Sequence, residues 1–183
     1  RAAREAGAKV TLVAGPVHLP TPRGVHRIDV TTAQQMFDTV VPQAAQHDVF
    51  IATAAVADWR PVNSAEHKIK KDGSKAVPSF ELTENPDILA AVAGLSTPPY
   101  CVGFAAESER LREHARAKML RKRVPLIVGN LGPATFGRDD NALLLIDADT
   151  DQALPPDGSR ADKLTLARTL MQEIARRLHA VTP

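Results

Sequence analysis

Apolar positions along this chain follow two alternating rhythms. Short apolar or period-two runs over residues 9–14, 25–30, 49–55, 79–83, 100–105, 125–128 and 141–147 predict strands. Between them, three-to-four-residue spacing predicts helices from Thr31 or Thr32 to about Gln46, from Asn85 to about Gly94, from Glu109 to about Arg123, and over 163–179. In the first, Met36, Phe37, Val40, Val41 and Ala44 form the inner face, and Pro42 should kink or shorten it. In the second, Asn85 is the expected N-cap, with Pro86 in the first helical position and Asp87 an early acid. Residues 1–6 read as a helix tail capped by Gly7. Strand alternating with helix predicts an α/β fold, a mostly parallel Rossmann-like sheet with helices on both faces. Residues 153–159, with Pro155, Pro156 and Gly158, are the one linker-like passage and are too short to divide domains.

A helix tail at residue 1 leading into a parallel strand implies a preceding strand and strand-to-helix loop. The expected unit is therefore a single domain over 1–183 that lacks its first strand and glycine-rich loop.

Composition narrows the function classes. With 183 residues, 44% hydrophobic and 24% charged, the chain is long enough for a sizeable core. Lys and Arg number 23 against 21 Asp and Glu, a net charge of +2, too mild to argue for nucleic acid or a membrane surface. No apolar run approaches the ~18 residues of a membrane span. One cysteine and an opening RAAREAGAK without a signal-peptide core fit a reducing cytoplasm. Six scattered histidines give no zinc-ligand spacing. Neither a G-x-G-x-x-G nor a Walker-type loop occurs.

The candidate chemistry gathers around VFIATAAVADWRPVNSAEHKIKK, residues 49–71. Ala52, Thr53, Ala54 and Ala55 leave backbone bare beside a strand end, where ligands bind in open α/β sheets. Asp58 and Trp59 follow, Pro61 stops the strand, and an excursion carries Lys68, Lys70 and Lys71. A carboxylate followed by a basic segment suits an anionic, hydroxyl-bearing ligand such as a nucleotide. An Asp at a strand end also serves as a turn residue, and a lysine cluster as a solvated face. In GFAAE, residues 103–107, small residues would expose backbone, and Phe104 is either a base-packing ring or plain core. Lys118 and Lys122, four apart, share a helix face that either meets a triphosphate or is solvated.

The ordered blocks ATAAVADWRP, HKIKK, ENPDIL, VGFAAE and KMLRK before LIVGN resemble the CTP-dependent phosphopantothenate–cysteine ligases of bacterial coenzyme A synthesis, over residues 6–177. The resemblance implies a ligase joining 4'-phosphopantothenate to L-cysteine through an acyl cytidylate. CTP is a substrate, Mg²⁺ rides on its phosphates, and no protein metal site is expected. It implies nucleotide contacts at Ala52, Thr53, Ala54, Asp58, Lys68, Thr83, Glu84, Asn85, Pro86, Phe104, Lys118 and Lys122, with Lys68 also catalytic. Ala54 and Ala55 would touch the acyl cytidylate. It also implies a homodimer, with the lysine-bearing lid after Pro61 near the partner, and an upstream flavin-dependent decarboxylase half carrying FMN. The alternatives from the residues are an NAD(P)-dependent reductase on the same fold and a non-catalytic nucleotide-binding module.

Overall fold

The structure is a computed structural model that describes residues 1–63, 79–132, 135 and 137–181. Its first half runs α1 (Ala2–Glu5), β1 (Thr11–Ala14), β2 (His26–Asp29), α2 (Ala33–Ala44), β3 (Val49–Ala52), β4 (Trp59–Pro61), β5 (Leu82–Glu84) and α3 (Ile88–Ala93). Its second half runs β6 (Tyr100–Glu107), α4 (Leu111–Lys122), β7 (Leu126–Leu131), β8 (Asp140–Asn141), β9 (Leu143–Ile146), β10 (Asp151–Leu154), β11 (Ala161–Asp162) and α5 (Lys163–Val181).

The central sheet has the order β10-β9-β7-β6-β3. The β3, β6 and β7 strands are parallel, as the βαβ rhythm predicts, whereas β9 and β10 join antiparallel. A mostly parallel sheet therefore becomes a mixed one. The extra strand, β10, takes up the first two residues of the passage read as linker, Ala153 and Leu154. Pairing with β9 overrides its weak local signal.

Strand alternation sorts side chains into two cores. Cys101 and Ala105 of β6 face a cluster built with Met36, Val40, Leu89, Val92, Ala115 and Met119 from α2, α3 and α4. Val102 of β6 faces the opposite cluster, with Leu126, Val128, Leu145 and α5 residues Leu166, Leu170 and Ile174. Helices thus cover both faces as expected. Each fully buried Leu, Ile or Val contributes on the order of 1.5–3 kcal/mol, so the sheet centre dominates stability.

Gly103 sits at that centre. A Cβ there would lie 2.6 Å from Ile127 Cδ1 and 2.7 Å from Leu89 Cδ2. The absent side chain lets α3 seat directly on β6. Gly103 and Ala105 are both buried, so their small size serves packing rather than the open backbone expected of them.

Two local expectations hold closely. Thr32 caps α2 in a capping box with Gln35, and Pro42 lies inside the helix without ending it. Gly7 takes the left-handed φ of +91° that stops α1. One does not hold: Asp87, not Asn85, caps α3 through Ala90 N–H. The helix starts two residues later than expected, so Pro86 precedes it.

The β1 and β2 strands form a separate parallel pair, with no ladder to the five-stranded sheet among the described residues. Val13 and Val30 pack into the same cluster as Phe50 and Ala52, with α2 lying across both. The α5 helix is tied down by charge at two places. Arg168 pairs with Glu5 of α1. Arg177, 8% exposed at its side chain, pairs with Glu173 at 2.5 Å and Asp147 at 3.2 Å.

Candidate functional site

At the carboxyl end of β3 the chain becomes irregular. Ala52 packs against the first core, Thr53, Ala54 and Ala55 are exposed, Val56 tucks into the core, and Ala57 and Asp58 return to the surface. Backbone is therefore bare where the sequence places it, at a strand end, although β3 is the edge strand of the five-stranded sheet rather than a central one. The chain then leaves as β4, pairs antiparallel with β5, and re-enters at Asn85. The sequence missed this ladder because Pro61 reads as a stop and the exposed Trp59 and Leu82 break the burial pattern. The run predicted over 79–83 is a strand only from Leu82 to Glu84.

Asn85 fastens the two segments together. Its backbone N–H donates to Asp58 O at 2.8 Å and its Nδ2 to Ala57 O at 2.8 Å. Its Oδ1 accepts from Arg60 NH1 at 3.1 Å, and the same nitrogen donates to Glu84 O at 2.5 Å. The predicted residues Asp58, Thr83, Glu84, Asn85 and Pro86 thus form one continuous wall.

The cationic face of α4 reaches the same region. Lys118 Nζ donates to Phe104 O at 2.7 Å, within β6 and three residues before its end. Lys122 Nζ pairs with Asp87, and its side chain is only 17% exposed. Neither lysine lies in a solvated stripe. Lys118 is held against the β6 backbone and Lys122 at the start of α3, and each keeps further N–H donors for an anion. Asp87, the partner of Lys122, caps α3, and from spacing alone it reads only as an early helical acid.

Phe104 is half-buried, with its ring against the second core; its carbonyl, not its ring, meets Lys118. Cys101 is buried, and burial pushes its thiol up to about 11, which fits inert packing. Lys68, Lys70 and Lys71 lie outside the described residues. Among the described residues no group of three or more His, Cys, Asp or Glu could hold a metal ion, and no helix is long and apolar enough to cross a membrane.

The arrangement joins the end of β3, the backbone of β6, the wall at 83–87 and two lysine ammonium groups. It offers bare backbone, exposed carboxylates at Asp58, Glu84 and Asp87, and two cations, of which Lys122 is paired with Asp87. That set suits a phosphorylated ligand carrying hydroxyl donors.

Comparison with known proteins agrees on the family. Residues 1–178 match the family described as DNA/pantothenate metabolism flavoprotein C-terminal domain. The coenzyme A biosynthesis bifunctional protein CoaBC of Vibrio cholerae is 46% identical over 159 residues, covering 85% of this chain and 40% of that protein. The protein of the same name from Escherichia coli K12 is 44% identical over 181 residues, covering 96% and 44% respectively. The chain thus spans about two fifths of the length of these relatives. The crystal structure of the C-terminal domain of a CoaBC protein superposes with a TM-score of 0.66 at 29% identity, covering 96% of this chain and 76% of that one.

Proposed function

Because this chain belongs to the family of DNA/pantothenate metabolism flavoprotein C-terminal domains, we propose that it is a CTP-dependent phosphopantothenate–cysteine ligase acting in coenzyme A biosynthesis. The observation that carries the reading is that Asn85 fastens the Ala57–Asp58 backbone after β3, while, two residues on, Asp87 meets Lys122, and Lys118 from the same helix meets the β6 backbone at Phe104. In the first half-reaction a 4'-phosphopantothenate carboxylate oxygen attacks the α-phosphorus of CTP. The bond to the β-phosphate breaks, pyrophosphate leaves, and an acyl cytidylate forms. In the second, the L-cysteine amine attacks the acyl carbon. The bond to the cytidylate oxygen breaks, CMP leaves, and the amine loses a proton.

The barrier in the first step is charge crowding, a carboxylate approaching a polyanion. Preorganised cations lower it electrostatically. Lys118 and Lys122 supply that charge from α4, and Lys68 supplies it from the segment between β4 and β5. Mg²⁺ enters as part of the substrate, on the triphosphate oxygens. The exposed backbone of Ala52, Thr53 and Ala54, with the wall at Thr83, Glu84, Asn85 and Pro86, holds the nucleoside, and Ala54 and Ala55 touch the acyl cytidylate. Phe104 contributes through its backbone carbonyl within β6, where it meets Lys118.

The test is pyrophosphate release by the full-length protein given CTP and 4'-phosphopantothenate. Release with CTP, and CMP formation that requires L-cysteine, are expected. Binding of NADP in place of CTP would favour a reductase, and CTP binding without pyrophosphate a non-catalytic module.

The relatives are named bifunctional. That name supports fusion to a flavin-dependent decarboxylase half, which would carry FMN, in a cytoplasmic enzyme. We also propose a homodimer formed through the β4–β5 ladder. Trp59, Pro61 and Leu82 share one face by register, with Phe80 two residues before Leu82. Trp59, Phe80 and Leu82 are each more than half exposed (55%, 59% and 54%), an apolar surface that a second copy would cover. Leu82→Glu should shift the full-length protein toward half its mass in sedimentation. An unchanged mass would remove the ladder from the interface.

A further inference from the structure

Arg60 lies one ladder step beyond the nucleotide wall, opposite Thr83. On a short surface strand, an arginine would ordinarily point its guanidinium to water. Here it turns inward along the ladder. NH1 donates at 2.5 Å to the carbonyl of Glu84 and at 3.1 Å to the side-chain oxygen of Asn85. Accepting from Arg60 fixes which end of the Asn85 amide faces which way. The NH₂ group is thereby left to donate to Ala57 O, at 2.8 Å. The Asn85 backbone N–H closes the ring of contacts onto Asp58 O, also at 2.8 Å.

The chain of bonds therefore runs from Arg60 through Asn85 to the two residues that present the Asp58 carboxylate. Asp58 itself is exposed. Among the described residues no side-chain hydrogen bond or ion pair holds its carboxylate, so its direction follows the backbone to which it is attached. That backbone is held from outside the ligand space, by a residue whose own side chain is only partly exposed.

We infer that Arg60 is a positioning residue of the nucleotide site, acting through Asn85 to hold Asp58 for the ligand. The inference rests on the CTP reading above. A neutral residue at position 60 leaves the Asn85 amide free to rotate and the 57–58 backbone free to drift. The ligand must then restore the order at its own expense, so the loss falls on binding rather than on the chemical step.

The experiment uses the full-length protein and pyrophosphate release. In Arg60→Met, KM for CTP should rise roughly tenfold, the scale of one charge-assisted hydrogen bond, with kcat within about twofold of wild type. Arg60→Lys, which keeps the charge but not the planar fork, should fall between the two. In an Asp58→Asn background the further change to Arg60→Met should move KM by less than about twofold, because both act through one carboxylate. A folded Arg60→Met enzyme with wild-type KM overturns the inference. So does a tenfold effect that persists unchanged in the Asp58→Asn background. If Arg60→Met does not fold, Arg60→Lys and its Asp58→Asn double variant carry the same comparison. Should the wild-type protein release no pyrophosphate from CTP at all, the parent reading falls and this one with it.

Discussion

Lys68→Gln is expected to leave the protein folded and to slow pyrophosphate release by roughly 30- to 1,000-fold. That range corresponds to about 2–4 kcal/mol, the scale of one preorganised donor aimed at developing charge. The reasoning starts from where the segment is rooted. The β4 strand begins at the residue after Asp58 and β5 ends at the residue before Asn85. The intervening chain leaves and returns at the paired Pro61 and Leu82, two ladder steps from the Trp59–Glu84 pair beside the wall, so Lys68 is covalently tethered close to the nucleotide site. Lys118 and Lys122 bring charge from a fixed helix. A cation aimed at the charge that develops as pyrophosphate leaves acts on the transition state more than on the ground state. The loss should therefore appear in kcat more than in KM. Near-normal pyrophosphate release by a folded Lys68→Gln protein would remove the residue from the mechanism.

The second large effect concerns stability and belongs to the far side of the sheet. Arg177→Ala should cost about 3 kcal/mol, the low end for breaking a buried ion pair, because its carboxylate partners keep some contact with water. Arg177 donates to Glu173, Asp147 and Gln152, so its removal takes the buried cation from two half-buried acids, Asp147 and Glu173 of α5. Burial alone would raise the Asp147 carboxyl. The N–H groups of Thr150 and Asp149, the Thr150 hydroxyl and Arg177 together outweigh burial and hold it below its ordinary value. Burial likewise opposes, and Arg177 and Arg176 overcome it, at Glu173. Carboxyls lowered in the folded state add stability above their unfolded values, and that stability is lost as pH falls through the folded ones. The gap in melting temperature between wild type and Arg177→Ala should therefore be full near neutrality and narrow in acid. A gap independent of pH would contradict the pairing.

Elements carried by local chemistry were legible in the sequence. The Thr32 cap, the inner face of Met36, Val40 and Ala44, and the glycine that ends α1 all follow from spacing and residue type. The elements that were not legible depend on distant partners. Asn85 has the composition of a cap, but Ala57, Asp58 and Arg60 compete for its hydrogen bonds, and Asp87 takes the cap. Lys118 and Lys122 share one face by spacing, yet only the fold decides between solvent and the β6 backbone with the start of α3. Gly103 looked like an opening for ligand because sequence cannot reveal that Leu89 closes over it.

The separation of β1 and β2 from the main sheet has a consequence for how the molecule breathes. Ladder hydrogen bonds fix register, whereas side-chain packing tolerates small slides. The two backbone networks share Val13, Val30, Phe50 and Ala52 in one cluster but no ladder bond among the described residues. The pair is therefore a cooperative unit of its own, able to loosen at a free energy below that of global unfolding. Its amides exchange with solvent by that sub-global route, while those of Leu126, Ile127 and Val128 wait for the whole sheet to open. The ligand site, rooted in β3 and β6, lies on the slow side of that divide.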